Sequence, residues 1–239
     1  MDQQNPLPSD NSIIKSLSPD AYWKLEPHLE LVTVEQGEEL HRPGQPIEHV
    51  YFPRTALISL MGMTADGQAT EVGMVGHEGF LGVPILFGAL SKQYSAPIQV
   101  AGTLWKISTK PILQMKQEES SFIATLQRYA SVRLTQLMQS AICNQFHTVN
   151  QRMCRWLSTM ADRTGLENLA FTQELLAQML GARRPTVAVA MGQLQNDGLL
   201  TYSRGNIVIR QREAIRAKAC ECFDIVNKEI GNFLSSMIK

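Results

Sequence analysis

Three features of this sequence predict an α+β fold, with an N-terminal antiparallel β-roll of the jelly-roll kind, a long central helix and a mostly helical C-terminal third. Stretches of period-two hydrophobicity recur at intervals of about 8–12 residues through the front of the chain. An apolar stripe of mean period about 3.6 then starts near Ile123 and continues for about five turns. Behind it, amphipathic helical segments surround one short hairpin pattern.

Pro19–His28 is predicted as a short helix. From Leu29 the period changes to two, with Leu31 and Thr33 on the face of Leu29 and with Val32 and Val34 on the other. Further strands are predicted over Ile47–Phe52, Ala56–Met63, Thr70–Val75 and Val100–Ile107. Pro- and Gly-bearing turns at Arg42–Pro46, Ala65–Gln68 and Gly76–Gly79 divide the first of them. Such spacing belongs to a roll, sandwich or barrel.

At 239 residues with 44% hydrophobic side chains, the chain has the make-up of a globular protein with a buried core. No apolar run approaches the roughly 18–20 residues of a membrane span. The first dozen residues are polar and carry no secretion signal, so a cytoplasmic place and no membrane partner are expected. The four cysteines, Cys143, Cys154, Cys220 and Cys222, are too few and too irregular for a disulfide scaffold and are expected as free buried thiols. With Cys220 and Cys222 placed on one last helix, Arg212–Met237, their side chains would point about 200° apart, so no shared metal is expected. Overall charge is zero, yet residues 1–148 carry 10 basic against 14 acidic side chains and residues 149–239 carry 12 against 8. That asymmetry suggests a basic module for a polyanion behind a module with another task.

Ile123, Leu126, Ala130, Leu134, Leu137 and Ala141 form the stripe of the long helix. Phe122, Tyr129, Met138 and Ile142 widen the apolar surface beyond one seam, so pairing with the same helix of a second copy is expected. The resulting domains are 1–116 for the roll, 117–148 for the dimerisation helix and 149–239 for the C-terminal module. In that module Val149–Thr164 is predicted as a helix that ends at Gly165.

Residues 172–209 carry the most specific signal. Thr172 can cap a helix reaching Leu180, Gly181 suits a turn that needs positive φ, and Pro185 suits the first turn of a second helix over Arg184–Asn196. Two short helices joined this way make a helix-turn-helix, whose second helix enters the major groove with its N-terminal side chains toward base edges. Strand-like alternation on both sides of Ser203–Asn206 adds a hairpin wing. Candidate contacts to double-stranded DNA are Thr172, Arg183, Arg184, Pro185, Thr186, Ala188, Val189 and Arg204, with the wing arginine and the helix N-terminus on phosphates.

The run T-Q-E-L-L-A-Q-M-L-G-A-R-R-P-T-V at Thr172–Val187, followed by L-Q-N-D-G-L-L at Leu194–Leu200, resembles the helix-turn-helix of the Crp/Fnr family of bacterial regulators. L-H-R-P-G-Q-P-I-E-H-V-Y-F at Leu40–Phe52 is similar to that family's cyclic-nucleotide-binding roll. The resemblance implies a sequence-specific homodimeric transcription regulator, with RNA polymerase as a further partner if it activates. It also implies an effector pocket around Gly82, Val83, Tyr94, Ser95 and Ala96, where cyclic-nucleotide-binding members carry F-G-E-L-x-L and R-S-A. Here Val83 stands for the acid and Tyr94 for the arginine, so cyclic AMP is not the expected effector and Lys92 is the nearest replacement charge. The family's R-E-T-V-x-R becomes Arg184-Pro185-Thr186-Val187-Ala188-Val189, leaving Arg184 as the base-reading residue. No cysteine precedes Cys143 to match the N-terminal iron–sulfur ligands of some members. His28, His41, His49, His77 and His147 are scattered, which suggests neither haem nor another cofactor.

Two other readings stay open on the residues alone. One is a ligand-sensing module whose helix-turn-helix contacts protein. The other is a metal-dependent barrel enzyme of the cupin kind, for which His41 and His49 lack a close H-x-H pairing and no catalytic set suggests itself. Redox control through Cys143 or Cys154 is a further possibility.

Overall fold

The computed structural model describes residues 11–89, 93–118 and 120–237. Lys92 and most of the polar leader lie outside the described residues. Helices α1 (Ser12–Lys15) and α2 (Pro19–Leu25) precede, among the described residues, the strands β1 (Glu30–Val34), β2 (His49–Pro53), β3 (Leu57–Met63), β4 (Ala69–Val75), β5 (Tyr94–Ser95), β6 (Ile98–Val100) and β7 (Gly102–Ser108). Helices α3 (Thr109–Glu118), α4 (Ser120–Phe146) and α5 (Val149–Thr164) follow. The remainder is β8 (Asn168–Ala170), α6 (Gln173–Met179), α7 (Arg184–Asn196), β9 (Leu200–Ser203), β10 (Asn206–Ile209), α8 (Arg212–Ala217) and α9 (Cys222–Ser235). The architecture is the α+β arrangement expected from sequence.

The chain divides into two compact units. Among the described residues, the first holds those up to Leu60, those of Met74–Arg133 and those from Ile230 on; the second holds Met61–Gly73 and Leu134–Glu229. In the first unit β7 lies between β1 and β2, antiparallel to both, with Val32 opposite Leu104 and Phe52 opposite Trp105. Val34 is buried while Leu31 is exposed, so one face of β1 is covered. A chain of rings forms the centre of its core, Phe52 on Phe80 at 5.6 Å, Phe80 on Tyr129 at 5.3 Å and Tyr129 on Phe233 at 5.6 Å. Asn11 is fully buried at one edge, where its carbonyl oxygen caps α1 and its amide donates to the carbonyls of Pro53 and Gly79.

The long helix serves two purposes along its length. Ile123, Leu126 and Ala130, expected on a seam between protomers, are buried in the structure, Ile123 and Leu126 in the first unit's own core cluster. Leu134, Leu137 and Ala141 are exposed. Periodicity identifies an apolar face but not what covers each stretch of it.

The expected single helix Arg212–Met237 is corrected to α8 and α9, separated by a turn at Lys218–Glu221. Lys218 and Ala219 donate their amides three residues back, to Ile215 and Arg216, which tightens and ends α8. Lys218 is also held by Asp197 at 3.1 Å. Cys220 therefore lies in the turn and only Cys222 opens a helix, which removes the ground on which the two were expected to point apart.

Candidate nucleic-acid interface

In the second unit α5 begins and ends on local signals. Thr148 and Gln151 form a reciprocal capping box at its start, and Gly165 closes it at φ 70°. Trp156 on α5 meets Phe171 edge to face at 4.9 Å, and both rings are buried. This contact fixes the residue just before Thr172, the cap of α6.

The hydroxyl of Thr172 accepts the amide of Leu175 at 3.2 Å and caps α6. The turn to α7 passes through Gly181 at φ 52°. Val187, Met191 and Leu194 are buried on the inner side of α7, as expected. Its outer side presents Arg183, Arg184, Pro185, Thr186 and Val189 to solvent, with Ala188 half-buried. Arg183 occupies the N-cap position without capping through its side chain, so both guanidinium groups stand at the positive end of the helix dipole, a place suited to anions.

The wing has one more strand than expected. β10 pairs with β9 on one side and with β8 on the other, Ile207 opposite both Tyr202 and Leu169. Its tip turns on two residues of positive φ, Arg204 at 49° and Gly205 at 80°. That is the two-residue hairpin geometry in which a non-glycine side chain is strained. Arg204 is exposed there. Arg204→Gly is expected to leave the melting temperature unchanged or higher while lowering DNA affinity, with a salt slope flatter by about 1. Thermal melts and a salt titration on one preparation measure both. Equal affinity and slope would remove Arg204 from the interface.

The effector-pocket candidates lie in the first unit. Gly82 has φ 134°, and a Cβ there would stand 2.9 Å from Val50, so only glycine fits. Val83 opens a 3-10 turn reaching Phe87. Ser95 and Ala96 are buried, and burial pushes the Tyr94 phenol well above its ordinary range, leaving a neutral hydroxyl. The Ala96 amide donates to the His41 carbonyl at 3.0 Å. His41 Nε2 in turn lies 3.2 Å from the His49 carbonyl, as a satisfied histidine does.

Cys154 is buried beside Asn150, and burial pushes its thiol up to about 11. Such a thiol is unreactive. The other three cysteines lie together, as described below. Met138, Ile142 and Phe146 join Leu134 and Leu137 as exposed large apolar side chains on α4. Phe146 is the last residue of α4, beyond the stripe that the sequence shows.

Comparison with known proteins agrees with this geometry. Residues 31–119 match the cyclic nucleotide-binding domain family, and residues 151–218 match the Crp-like helix-turn-helix domain family. The chain is similar to the anaerobic regulatory protein of Bacillus subtilis (strain 168), at 22% identity over 90% of this chain and 92% of the relative. Its fold is shared with FixK2 from Bradyrhizobium japonicum, with a TM-score of 0.68 and 17% identity over 80% of this chain and 98% of the other. It is shared also with a protein described as a transcriptional regulator of the Crp/Fnr family from Eubacterium rectale, with a TM-score of 0.69 and 15% identity over 85% and 95%. No helix among the described residues is long and apolar enough to cross a membrane. With a nucleotide-binding-type roll, a long helix and a Crp-like helix-turn-helix in that order, the chain belongs to the Crp/Fnr family of transcription regulators.

Proposed function

We propose that this regulator binds a two-fold symmetric DNA site as a homodimer, with one α7 in each of two successive major grooves, and that its effector is neither cyclic AMP nor cyclic GMP. The observation that carries the DNA contact is the solvent-facing N-terminal end of α7, where Arg183 and Arg184 stand together without acidic neighbours on the helix's first turn. Arg184 reads guanine through O6 and N7, while Arg183, Thr186 and the wing hold phosphates. Thr172, at the start of α6, is placed to touch the backbone, and Pro185, Ala188 and Val189 offer apolar contact to thymine methyls.

Dimerisation is supported by the free half of α4. Leu134 is 60% exposed, Met138 58%, Ile142 41% and Phe146 75%, at successive four-residue steps. Leu137 and Ala141 lie beside them, and a face of this kind asks for an apolar partner. The effector reading rests on Val83 and Tyr94, which replace an acid and a cation, and on the Ala96 amide already engaged by His41. A cyclic phosphate would find the Ala96 amide already taken.

Selection from a random duplex pool with the ligand-free protein, followed by salt titration of the winner, tests the reading. A palindromic winner with steep salt dependence is expected; failure to enrich any sequence counts against it. Arg184→Ala is expected to lose about 1–3 kcal/mol of discrimination at one base pair per half-site. Equal weakening on specific and random DNA would assign Arg184 to phosphate instead.

A further inference from the structure

The sulfur atoms of Cys143, Cys220 and Cys222 and a ring nitrogen of His147 all lie within 4.8 Å of one another. Cys143 Sγ is 3.5 Å from Cys220 Sγ, and Cys222 Sγ is 3.6 Å from His147 Nδ1. Around a tetrahedral ion with metal–sulfur bonds of about 2.3 Å and a metal–nitrogen bond of about 2.0 Å, neighbouring ligand atoms stand roughly 3.5–3.8 Å apart. Two edges of that tetrahedron already have this length.

The surroundings match a metal centre in three further ways. Nε2 of His147 lies 3.2 Å from Glu221 Oε1, the carboxylate contact that fixes the tautomer and turns the other nitrogen toward an ion. Arg152 is 7% exposed, donates from Nη1 at 3.4 Å to the carbonyl of Asn144, the residue after Cys143, and has no hydrogen-bond partner for Nε and Nη2 among the described residues. Three thiolates around a divalent cation leave one net negative charge, which such a buried cation would balance. Finally, Cys143 and His147 are one helical turn apart at the end of α4, while Ala-Lys-Ala-Cys-Glu-Cys at 217–222 breaks the last helix without Gly or Pro. The chain turns at the very place that brings Cys220 and Cys222 to Cys143.

We infer that Cys143, His147, Cys220 and Cys222 form a site for one tetrahedral thiophilic divalent cation of the zinc class, which ties the end of α4 to the turn between α8 and α9. Sulfurs gathered this closely suit a single ion, whereas in a four-iron cluster each thiolate takes a different iron. The ligands close a loop of more than 70 residues, so the ion acts as a structural cross-link within the second unit. The inference is independent of the operator and of the effector.

The test uses the full chain, reduced, stripped of metal and titrated with Co2+ under anaerobic conditions. One equivalent of Co2+ is expected to give thiolate-to-cobalt charge transfer and the visible bands of a tetrahedral centre, bleached by one equivalent of Zn2+. Cys143→Ser and Cys222→Ser should abolish the bands, and Cys154→Ser should keep them. Should the serine variants fail to fold by circular dichroism, Glu221→Gln decides, because its side chain is exposed: a fall of about 10–100-fold in Co2+ affinity is expected. Overturning results are a folded, reduced wild type that takes up no Co2+, unchanged affinity in Glu221→Gln, or iron with sulfide in place of one divalent ion.

Discussion

A chain carrying both Leu134→Glu and Met138→Glu is expected to sediment as a monomer and to bind its operator about 10²–10⁴-fold more weakly than the parent. The magnitude follows from linkage, since a second recognition helix delivered by a partner already in place binds as an intramolecular event. Both side chains are more than half exposed in the single chain, so the substitutions leave its own cores intact and the melting transition should change little. Four like charges would face one another across the proposed seam. Sedimentation velocity with an operator titration checks this. A variant that stays dimeric would move the seam elsewhere; one that becomes monomeric yet keeps full affinity would show that a single helix-turn-helix suffices.

Trp156→Ala is expected to destabilise the second unit by about 3–5 kcal/mol, the usual cost of removing a large buried aromatic side chain. The ring is 1% exposed and meets Phe171 at an interplanar angle of 88°. Its loss therefore leaves a cavity and ends an aromatic pair. Phe171 immediately precedes the cap of α6, so the α6–α7 pair loses its anchor as well as its packing. A fall of roughly 10–15 °C in the melting temperature is expected for a chain of this size, with DNA affinity lost first near the new midpoint. Near-ultraviolet circular dichroism on heating measures it. A shift of only one or two degrees would mean that neighbouring side chains collapse into the space.

Local signals were legible in the sequence and distant ones were not. The bounds of α5 and α7 are those expected, because Gly165 and Pro185 act on the residues beside them. The helix-turn-helix and its wing were legible for the same reason. β8 escaped notice because a three-residue strand has too few side chains to show a period, and β5 is shorter still. On α4 the period of the stripe was right, but Ile123 and Leu134 carry the same signal while one is buried at home and the other is exposed. The cluster of cysteines with His147 was invisible because 77 residues separate Cys143 from Cys220. The turn that aims Cys220 and Cys222 is set by tertiary contacts, with no breaker residue to announce it.

Phe233 completes the ring stack begun by Phe52, so the final turns of the chain belong to the same unit as its opening strands. Inheritance of this protein is thereby constrained. A recombination event joining a new DNA-binding module to this roll at one crossover near the middle of the gene would discard Phe233 and leave Tyr129 without its outer ring. Exchange of specificity between relatives would have to proceed by substitution within α7, or by two crossovers that spare Phe233.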